Sequence, residues 1–124
     1  MNFEKKYGTY DIKTISKWFE QDGAKFLIAP NLNNVHRQEM FKLHALGDNA
    51  TMHEQMTMAS ATTAKALLLD WDGVEDADGN ALPYSEETAS EILLKYPDFL
   101  TWVSKCAQEL SEEREAAVDD TVKN

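Results

Sequence analysis

The fold is decided by residues 66–102, which read ALLLDWDGVEDADGNALPYSEETASEILLKYPDFLTW. The stretch begins inside one predicted helix and passes through a turn region rich in glycine and aspartate. It re-enters a helix after Pro83-Tyr84-Ser85 and stops again at Pro97, because proline lacks the amide hydrogen that a helix interior requires. Two of the three tryptophans lie here. We therefore expect the rest of the chain to be organised around this segment.

Length and composition indicate one domain. The chain has 124 residues, of which 43% are hydrophobic, and this is enough to bury a substantial core. We predict a single globular domain over residues 1–111 and an acidic, flexible tail over residues 112–124, where the sequence becomes polar and charged. The beginning of the chain lacks the apolar run of a signal peptide, and no stretch approaches the roughly 20 apolar residues of a membrane span. Cys106 is the only cysteine, which is typical of a protein from a reducing cytosol.

The net charge of −10 is concentrated in one segment. Residues 1–47 carry seven lysines or arginines against five acids, whereas residues 70–91 carry eight acids and no lysine or arginine. Nucleic acid backbones are bound by clustered lysine and arginine, so we expect no nucleic acid partner. The acidic segment is either an ordinary solvated face or a surface that meets a basic protein.

Asp22-Gly23 predicts a β-hairpin in the N-terminal third, because this pair favours the type I′ turn. Counting outward from the turn places Glu20 opposite Lys25, Phe19 opposite Phe26 and Trp18 opposite Leu27. The register thus aligns an opposite-charge pair and an aromatic pair, each of which stabilises a hairpin.

Four helices follow the hairpin in the prediction. Asn33 is a candidate N-cap for the first helix, which reaches Leu46 and closes at Gly47. The capping-box pattern Thr51-Met52-His53-Glu54 begins the second helix, which we extend to about Leu69.

The third and fourth helices begin at Ser85, a second candidate N-cap, and at Pro97. Two Asp-Gly pairs, at 72–73 and 78–79, predict turns around short strands before Ser85. The predicted class is therefore α+β and mainly α. It has an N-terminal β-hairpin, about four helices, and a small acidic β-turn or hairpin between the second and third helices.

Several apolar residues fall off the main stripes of the first two helices. Phe41 points away from the stripe of the first helix, and either forms a contact point or packs under the hairpin. Met58, Leu68 and Leu69 lie off the stripe of the second predicted helix. A helix that is apolar on two faces is either sandwiched within its own domain or offers one face to a partner. We expect sandwiching, since the C-terminal helices need a surface to pack on.

One segment partly matches a calcium-binding loop. Asp76, Asp78, Asn80 and Glu87 match four ligand positions of an EF-hand, but alanine occupies the position that requires glycine, and a proline follows shortly after. These departures argue against a calcium site, so we expect no metal and no cofactor.

No constellation of catalytic residues is present in the sequence. His36 and His44 lie about 12 Å apart along a helix, too far for one ion, and we interpret all three histidines, including His53, as surface residues. Cys106 lies in the apolar stripe of the last helix, which indicates a packed thiol. We therefore expect no enzymatic activity.

The order of elements resembles that of the tail assembly chaperones of long-tailed bacteriophages. The resemblance lies in FLIAPNLNN at residues 26–34, and above all in WDGVEDADGNALPYS at residues 71–85 followed by EILLKYPDF. It implies binding to the tape measure protein, a long, helix-rich and poorly soluble chain, until the tail tube polymerises around it. It also implies self-association, a longer frameshifted form that engages the tail tube protein, residence in the host cytoplasm, and absence from the mature virion. This chain would correspond to the short form.

A chaperone of this kind needs apolar contact area and enough charge to keep the complex in solution. Our hypothesis is that tape measure helices lie against a groove beside Trp71. The candidate contact residues are Phe41, Met58, Leu68, Leu69, Trp71, Tyr84 and Trp102. Two alternatives remain: an acidic mimic of DNA that inhibits a DNA-binding protein, and a minor structural component of the virion.

Overall fold

The computed structural model describes residues 1–2, 12–45 and 49–123, with side chains described as far as residue 114. After a short 3-10 helix, Ile12–Ile15, the strands are β1 Lys17–Gln21, β2 Ala24–Ile28 and β3 Leu68–Asp72. The α-helices are α1 Asn34–Ala45, α2 Met52–Ala66, α3 Glu86–Lys95 and α4 Pro97–Lys123. The predicted class, α+β and mainly helical with an N-terminal hairpin and four helices, is confirmed. None of these helices combines the length and apolar character needed to cross a membrane.

The hairpin of β1 and β2 has the predicted register. Lys25 pairs with Glu20, Phe26 with Phe19, and the strands are antiparallel. Asp22 and Gly23 have φ values of 50° and 81°, so both turn residues adopt the left-handed conformation that a type I′ turn requires.

The second predicted helix is too long at its C-terminal end. Helix α2 stops at Ala66, and Leu68 and Leu69 belong to β3, which pairs antiparallel with β2. The backbone N–H of Leu67 still donates to Thr63, and its carbonyl then accepts from the N–H of Ala29. Pairing with β2 outweighs helix continuation here because it satisfies the backbone of both segments and buries Leu68 completely.

The acidic segment after β3 forms a tight turn, as predicted, but with one pair of bridged residues, Glu75 and Ala81, in place of a hairpin of strands. The carboxylate of Asp76 accepts hydrogen bonds from the amides of Asp78 and Asn80 at 2.9 and 3.0 Å. Asp76 therefore has a role within the turn itself, which accounts for part of the EF-hand pattern. Among the residues that the structure describes, no group of three or more histidine, cysteine, aspartate or glutamate side chains could hold a metal ion.

Helix α2 packs against both α1 and α3, which agrees with the expectation that it is covered within its own domain. The core lies between the inner face of the sheet, α2, α3 and the first turns of α4. Its larger members are Phe26, Ile28, Leu67, Leu68, Trp71, Leu93, Val103 and Cys106. Helix α4 continues beyond Glu112, so the flexibility of residues 112–124 stays a prediction.

Three predicted helix starts are confirmed by their capping bonds. Ser85 Oγ accepts from the amide of Thr88, and Thr51 Oγ1 accepts from the amide of Glu54. The Glu54 carboxylate accepts from the Thr51 hydroxyl and not from the Thr51 amide, which differs from the full capping box. Asn33 Oδ1 accepts from the amide of His36. The predicted closure of α1 at Gly47 lies outside the described residues.

Asn33 also ties α1 to the rest of the domain. Its side-chain amide donates to the carbonyl of Pro30 at 2.8 Å and to the carbonyl of Ala66, at the end of α2, at 2.9 Å. The side chain is buried, so all three of its hydrogen bonds form away from water. One asparagine therefore caps the start of one helix and the end of another.

The interpretation of all three histidines as surface residues is wrong for His36, although His44 and His53 are exposed. His36 is buried, and its Nδ1 accepts a hydrogen bond of 2.9 Å from the amide of Leu32. Leu32 has φ of 57°, so the chain turns sharply just before α1 and brings its amide within hydrogen-bonding distance of the His36 Nδ1 atom. Burial lowers the pKa of His36 below its ordinary value.

Replacing Asn33 should destabilise the domain far more than replacing its neighbour. Asn33→Ala removes an N-cap and leaves two buried carbonyls without a donor, so we expect a loss of about 2–3 kcal/mol in the free energy of unfolding. Asn34→Ala changes an exposed residue at the first position of the same helix, and we expect a change within about 0.5 kcal/mol. Urea unfolding of both variants checks this, and equal losses would contradict the bridging role of Asn33.

His36 should make the domain less stable in mild acid. Its pKa is lower in the folded chain than in the unfolded chain, so the unfolded chain binds the proton more readily below the ordinary pKa of 6.5. The free energy of unfolding should therefore fall as the pH is lowered through and below that value. His36→Asn, which keeps an acceptor but does not titrate, should reduce this slope, whereas His44→Asn on the exposed side of α1 should not. Thermal unfolding at a series of pH values measures both.

Candidate binding cleft

Aromatic side chains form a continuous series across the inner face of the sheet. Phe26 lies opposite Phe19 on one side and Trp71 on the other. The Phe26 ring centroid is 5.2 Å from that of Phe99 and 5.5 Å from that of Trp102, both on α4. These distances are typical of favourable aromatic pairs, so the sheet and α4 are held by ring contacts.

An open cleft of about 540 Å³ lies above this aromatic series. Phe26 and Trp71 form its base, and Val74, Ile92 and Phe99 contribute half-buried side chains to its walls. The remaining lining residues come from the two turns at its edge and are Gln21, Asp22, Gly23, Ala24, Gly73 and Glu75. The volume is in the range of pockets that bind ligands or a few side chains of a partner.

The width of the cleft at this edge depends on a close approach of two glycine-containing turns. Gly73 has φ of 79°, and a Cβ atom placed on it would lie 3.2 Å from the carbonyl oxygen of Gly23. A residue with a side chain at position 73 would therefore be strained and would push the two turns apart. The close approach of the two turns therefore depends on the missing side chain at Gly73, whereas a Cβ atom at Gly23 would meet no atom within 4 Å.

The cleft has acidic groups at its rim. Asp22 and Glu75 are exposed and line the opening, while no lysine, arginine or histidine is among the lining residues. The site is thus an apolar depression bordered by negative charge.

Of the predicted contact residues, Trp71 lines the cleft, while Tyr84 and Trp102 are absent from its lining and pack against the base residues Trp71 and Phe26. Trp71 is only 6% exposed, and its indole Nε1 donates to the carbonyl of Leu82 at 2.7 Å. Tyr84 stacks edge-on against Trp71 at 5.1 Å and donates its hydroxyl to the carbonyl of Leu68. Trp102 packs half-buried against Phe26. An open cleft lies beside Trp71, which forms part of its base, and the contact role of this residue stays a prediction.

The other four predicted contact residues are not brought to the cleft. Leu68 is completely buried, so its assignment to a contact surface was wrong: it faces the core from β3 instead of an outer helix face. Leu69 is half-buried in the same strand, and Met58 is half-buried in α2. Phe41 is 78% exposed on α1, which contradicts the alternative that it packs under the hairpin, and it does not line the cleft.

The wall residues Val74, Ile92 and Phe99 were not among the predicted contacts. Ile92 and Phe99 lie on the apolar stripes of their helices, and this pattern indicates core residues. Only the way in which α3, α4 and the turn after β3 converge leaves them partly uncovered. No signal in the sequence distinguishes them from fully buried neighbours such as Leu93.

Two ionisable side chains near the core have raised pKa values. Burial raises the pKa of the Tyr84 hydroxyl to about 12, with the nearby carboxylates of Glu86 and Asp70 adding to the effect. Burial, together with Glu109, raises the pKa of the Cys106 thiol to about 11. Both side chains stay protonated near neutral pH, which agrees with the packed thiol predicted for Cys106.

Alanine substitutions at two glycines should test the contact between the turns. Gly79→Ala places a side chain at φ of 84° with no atom within 4 Å, so we expect only the conformational cost of about 1–2 kcal/mol. Gly73→Ala carries a similar conformational cost and in addition crowds the Gly23 carbonyl, so its loss should be larger by about 1 kcal/mol or more. Urea unfolding measures both, and equal losses would mean that the turns separate without cost.

Comparison with known proteins places the chain among phage-derived proteins. The family model described as YdaY prophage protein matches residues 22–124, from the turn of the hairpin to the end of the chain. No curated protein and no solved structure matches the chain. The matched region contains β2, β3, all four α-helices and every residue that lines the cleft except Gln21. Because the match extends over most of its length, this chain belongs to the YdaY prophage protein family.

Proposed function

We propose that this chain is a tail assembly chaperone that binds apolar helical segments of a phage tape measure protein and keeps that protein in solution until the tail tube polymerises. The observation that carries the proposal is the open cleft in which Val74, Ile92 and Phe99 remain half-buried above an aromatic base. Membership of a prophage family supports the setting, and the resemblance of residues 71–85 to tail assembly chaperones supports the specific role.

The cleft suits a partner that offers apolar side chains. Covering the exposed parts of the wall residues removes apolar surface from water, which contributes about 25 cal/mol for each Å² buried. The base of the cleft is already held by the ring contacts of Phe26 with Phe99 and Trp102, so little ordering is required when a partner binds. A preformed apolar depression is therefore a favourable place for one or two side chains from a helix.

Such a chaperone also needs enough charge to keep the complex in solution, and the net charge of the chain suits this requirement. A partner with exposed apolar helices tends to aggregate, and a complex with high net charge resists aggregation through repulsion. The net charge of −10 and the exposed acids of residues 70–91 would remain in water beside the bound segment.

Binding, and not catalysis, is the activity that we propose. The buried thiol of Cys106 stays protonated, and the Tyr84 hydroxyl donates to a backbone carbonyl in the core. A holding function needs no cofactor. By the same resemblance we propose self-association, a longer form that engages the tail tube protein, residence in the host cytoplasm, and absence from the finished particle.

Co-expression with the phage's tape measure protein tests the proposal. Changing both Val74 and Ile92 to serine makes two walls of the cleft polar and should move most of the tape measure protein from the soluble fraction into the pellet. Phe41→Ser, which changes an exposed aromatic residue away from the cleft, should leave it soluble. Met58→Ser, a half-buried change in α2, controls for a general loss of stability, and circular dichroism confirms that each variant is folded.

The opposite results have definite meanings. Precipitation with Phe41→Ser alone would place the contact surface on α1, and continued solubility with the cleft variant would contradict a role for the cleft. Capture of a basic DNA-binding protein that duplex DNA displaces would favour the DNA-mimic alternative. Detection of the chain in purified virions by mass spectrometry would favour a structural component.

A further inference from the structure

We propose that the cleft selects helical segments whose apolar ridge is bordered by lysine or arginine. This inference rests on the proposed function and specifies the chemistry of the segment that is bound. It combines two features of the same site: the apolar base and walls, and the carboxylates of Asp22 and Glu75 at the opening. An apolar ridge alone complements the apolar base and walls, whereas flanking basic residues are needed to complement the two carboxylates.

The two rim carboxylates are available to a partner. Asp22 belongs to the turn between β1 and β2, and Glu75 follows Gly73 in the turn that packs against it. Both residues are exposed, and neither carboxylate forms an ion pair or hydrogen bond with another residue in the described part of the chain. A cation from a bound segment could therefore approach them without displacing an internal partner.

Two basic side chains on elements that form the cleft, Lys25 and Lys95, are not among the residues that line it. Lys25 lies on the outer face of the sheet, because its neighbour Phe26 points inward and successive strand residues alternate. Its cross-strand neighbours there are Glu20 and Asp72. Lys95 lies near the C-terminal end of α3 with its Nζ 5.5 Å from the centre of the Tyr96 ring.

The wider charge distribution adds to the preference. Eight acids and no lysine or arginine occur between residues 70 and 91, and the cleft is built partly from this segment. Exposed ion pairs are weak, so the carboxylates should influence which apolar segment binds but should not be sufficient for binding by themselves. Two such pairs together correspond to a change in affinity of about twofold to thirtyfold.

Three labelled peptides test the inference with the full-length protein. Each is an amphipathic helix of about 16 residues with the same leucine ridge, bordered by lysine, glutamine or glutamate, all of which favour helix formation. Fluorescence anisotropy should give the tightest binding for the lysine peptide, weaker binding for the glutamine peptide and the weakest for the glutamate peptide. Added salt should reduce these differences.

Two variants that remove the same number of charges at different places show where the preference for the lysine peptide arises. Changing Asp22 to asparagine and Glu75 to glutamine should bring the lysine peptide to within about twofold of the glutamine peptide. Changing Glu112 and Glu113 to glutamine on the exposed side of α4 removes the same net charge away from the cleft and should preserve the order. Loss of the preference in both variants would assign it to net charge and overturn the role of the rim.

The remaining outcomes separate this inference from the proposed function. Equal affinity for all three peptides, with binding lost in the Val74 and Ile92 double variant, would overturn the charge preference while leaving the apolar binding function intact. Binding of none of the peptides would overturn both. A dimer in sedimentation that dissociates when Val74 and Ile92 are changed, without peptide binding, would show that a second copy of the chain fills the cleft, and this also overturns the inference.

Discussion

The antiparallel pairing of β3 with β2 fixes the positions of the elements around it. It places Trp71 opposite Phe26, ends α2 at Ala66, and directs the chain into the acidic turn. Two side-chain hydrogen bonds then hold the returning segment: the Trp71 indole donates to Leu82, and the Tyr84 hydroxyl donates to Leu68. Without β3 there would be no base for the cleft and no fixed position for α3.

Neighbouring aromatic and aliphatic residues differ in how far they are buried, which separates the structural residues from those that we propose to contact a partner. Trp71 and Phe26 are almost fully buried and hold the sheet to α4 and the acidic segment. Val74, Ile92 and Phe99 stand above them with part of their surface uncovered. The core therefore preorganises the proposed contact surface, and substitution of the buried residues would report on folding before it reported on binding. The carboxylates of Asp22 and Glu75 border the same cleft, and we propose that they add selectivity to it.

Local sequence signals predicted those parts of the fold that depend on short-range interactions. The Asp22-Gly23 turn set the hairpin register, since both residues readily adopt positive φ, and Asn33, Thr51 and Ser85 marked helix starts through bonds to amides three residues ahead. The end of α2 was predicted wrongly because Leu67, Leu68 and Leu69 suit either a helix or a buried strand. The burial of His36 also went unrecognised, since it depends on the backbone turn at Leu32.

Local sequence patterns predicted the class of the domain and the position of its turns and caps, and the concentration of acid between residues 70 and 91 is apparent from the sequence. Each of these follows from residue types acting over a few positions. Tertiary packing, in contrast, buries Leu68 and Trp71 in the core and leaves Val74, Ile92 and Phe99 partly exposed in the walls of the cleft. Partial exposure depends on how separate elements converge. In this domain two glycine-containing turns are in contact, and α3 and α4 meet over the sheet. The periodicity of apolar residues along the chain does not predict this convergence.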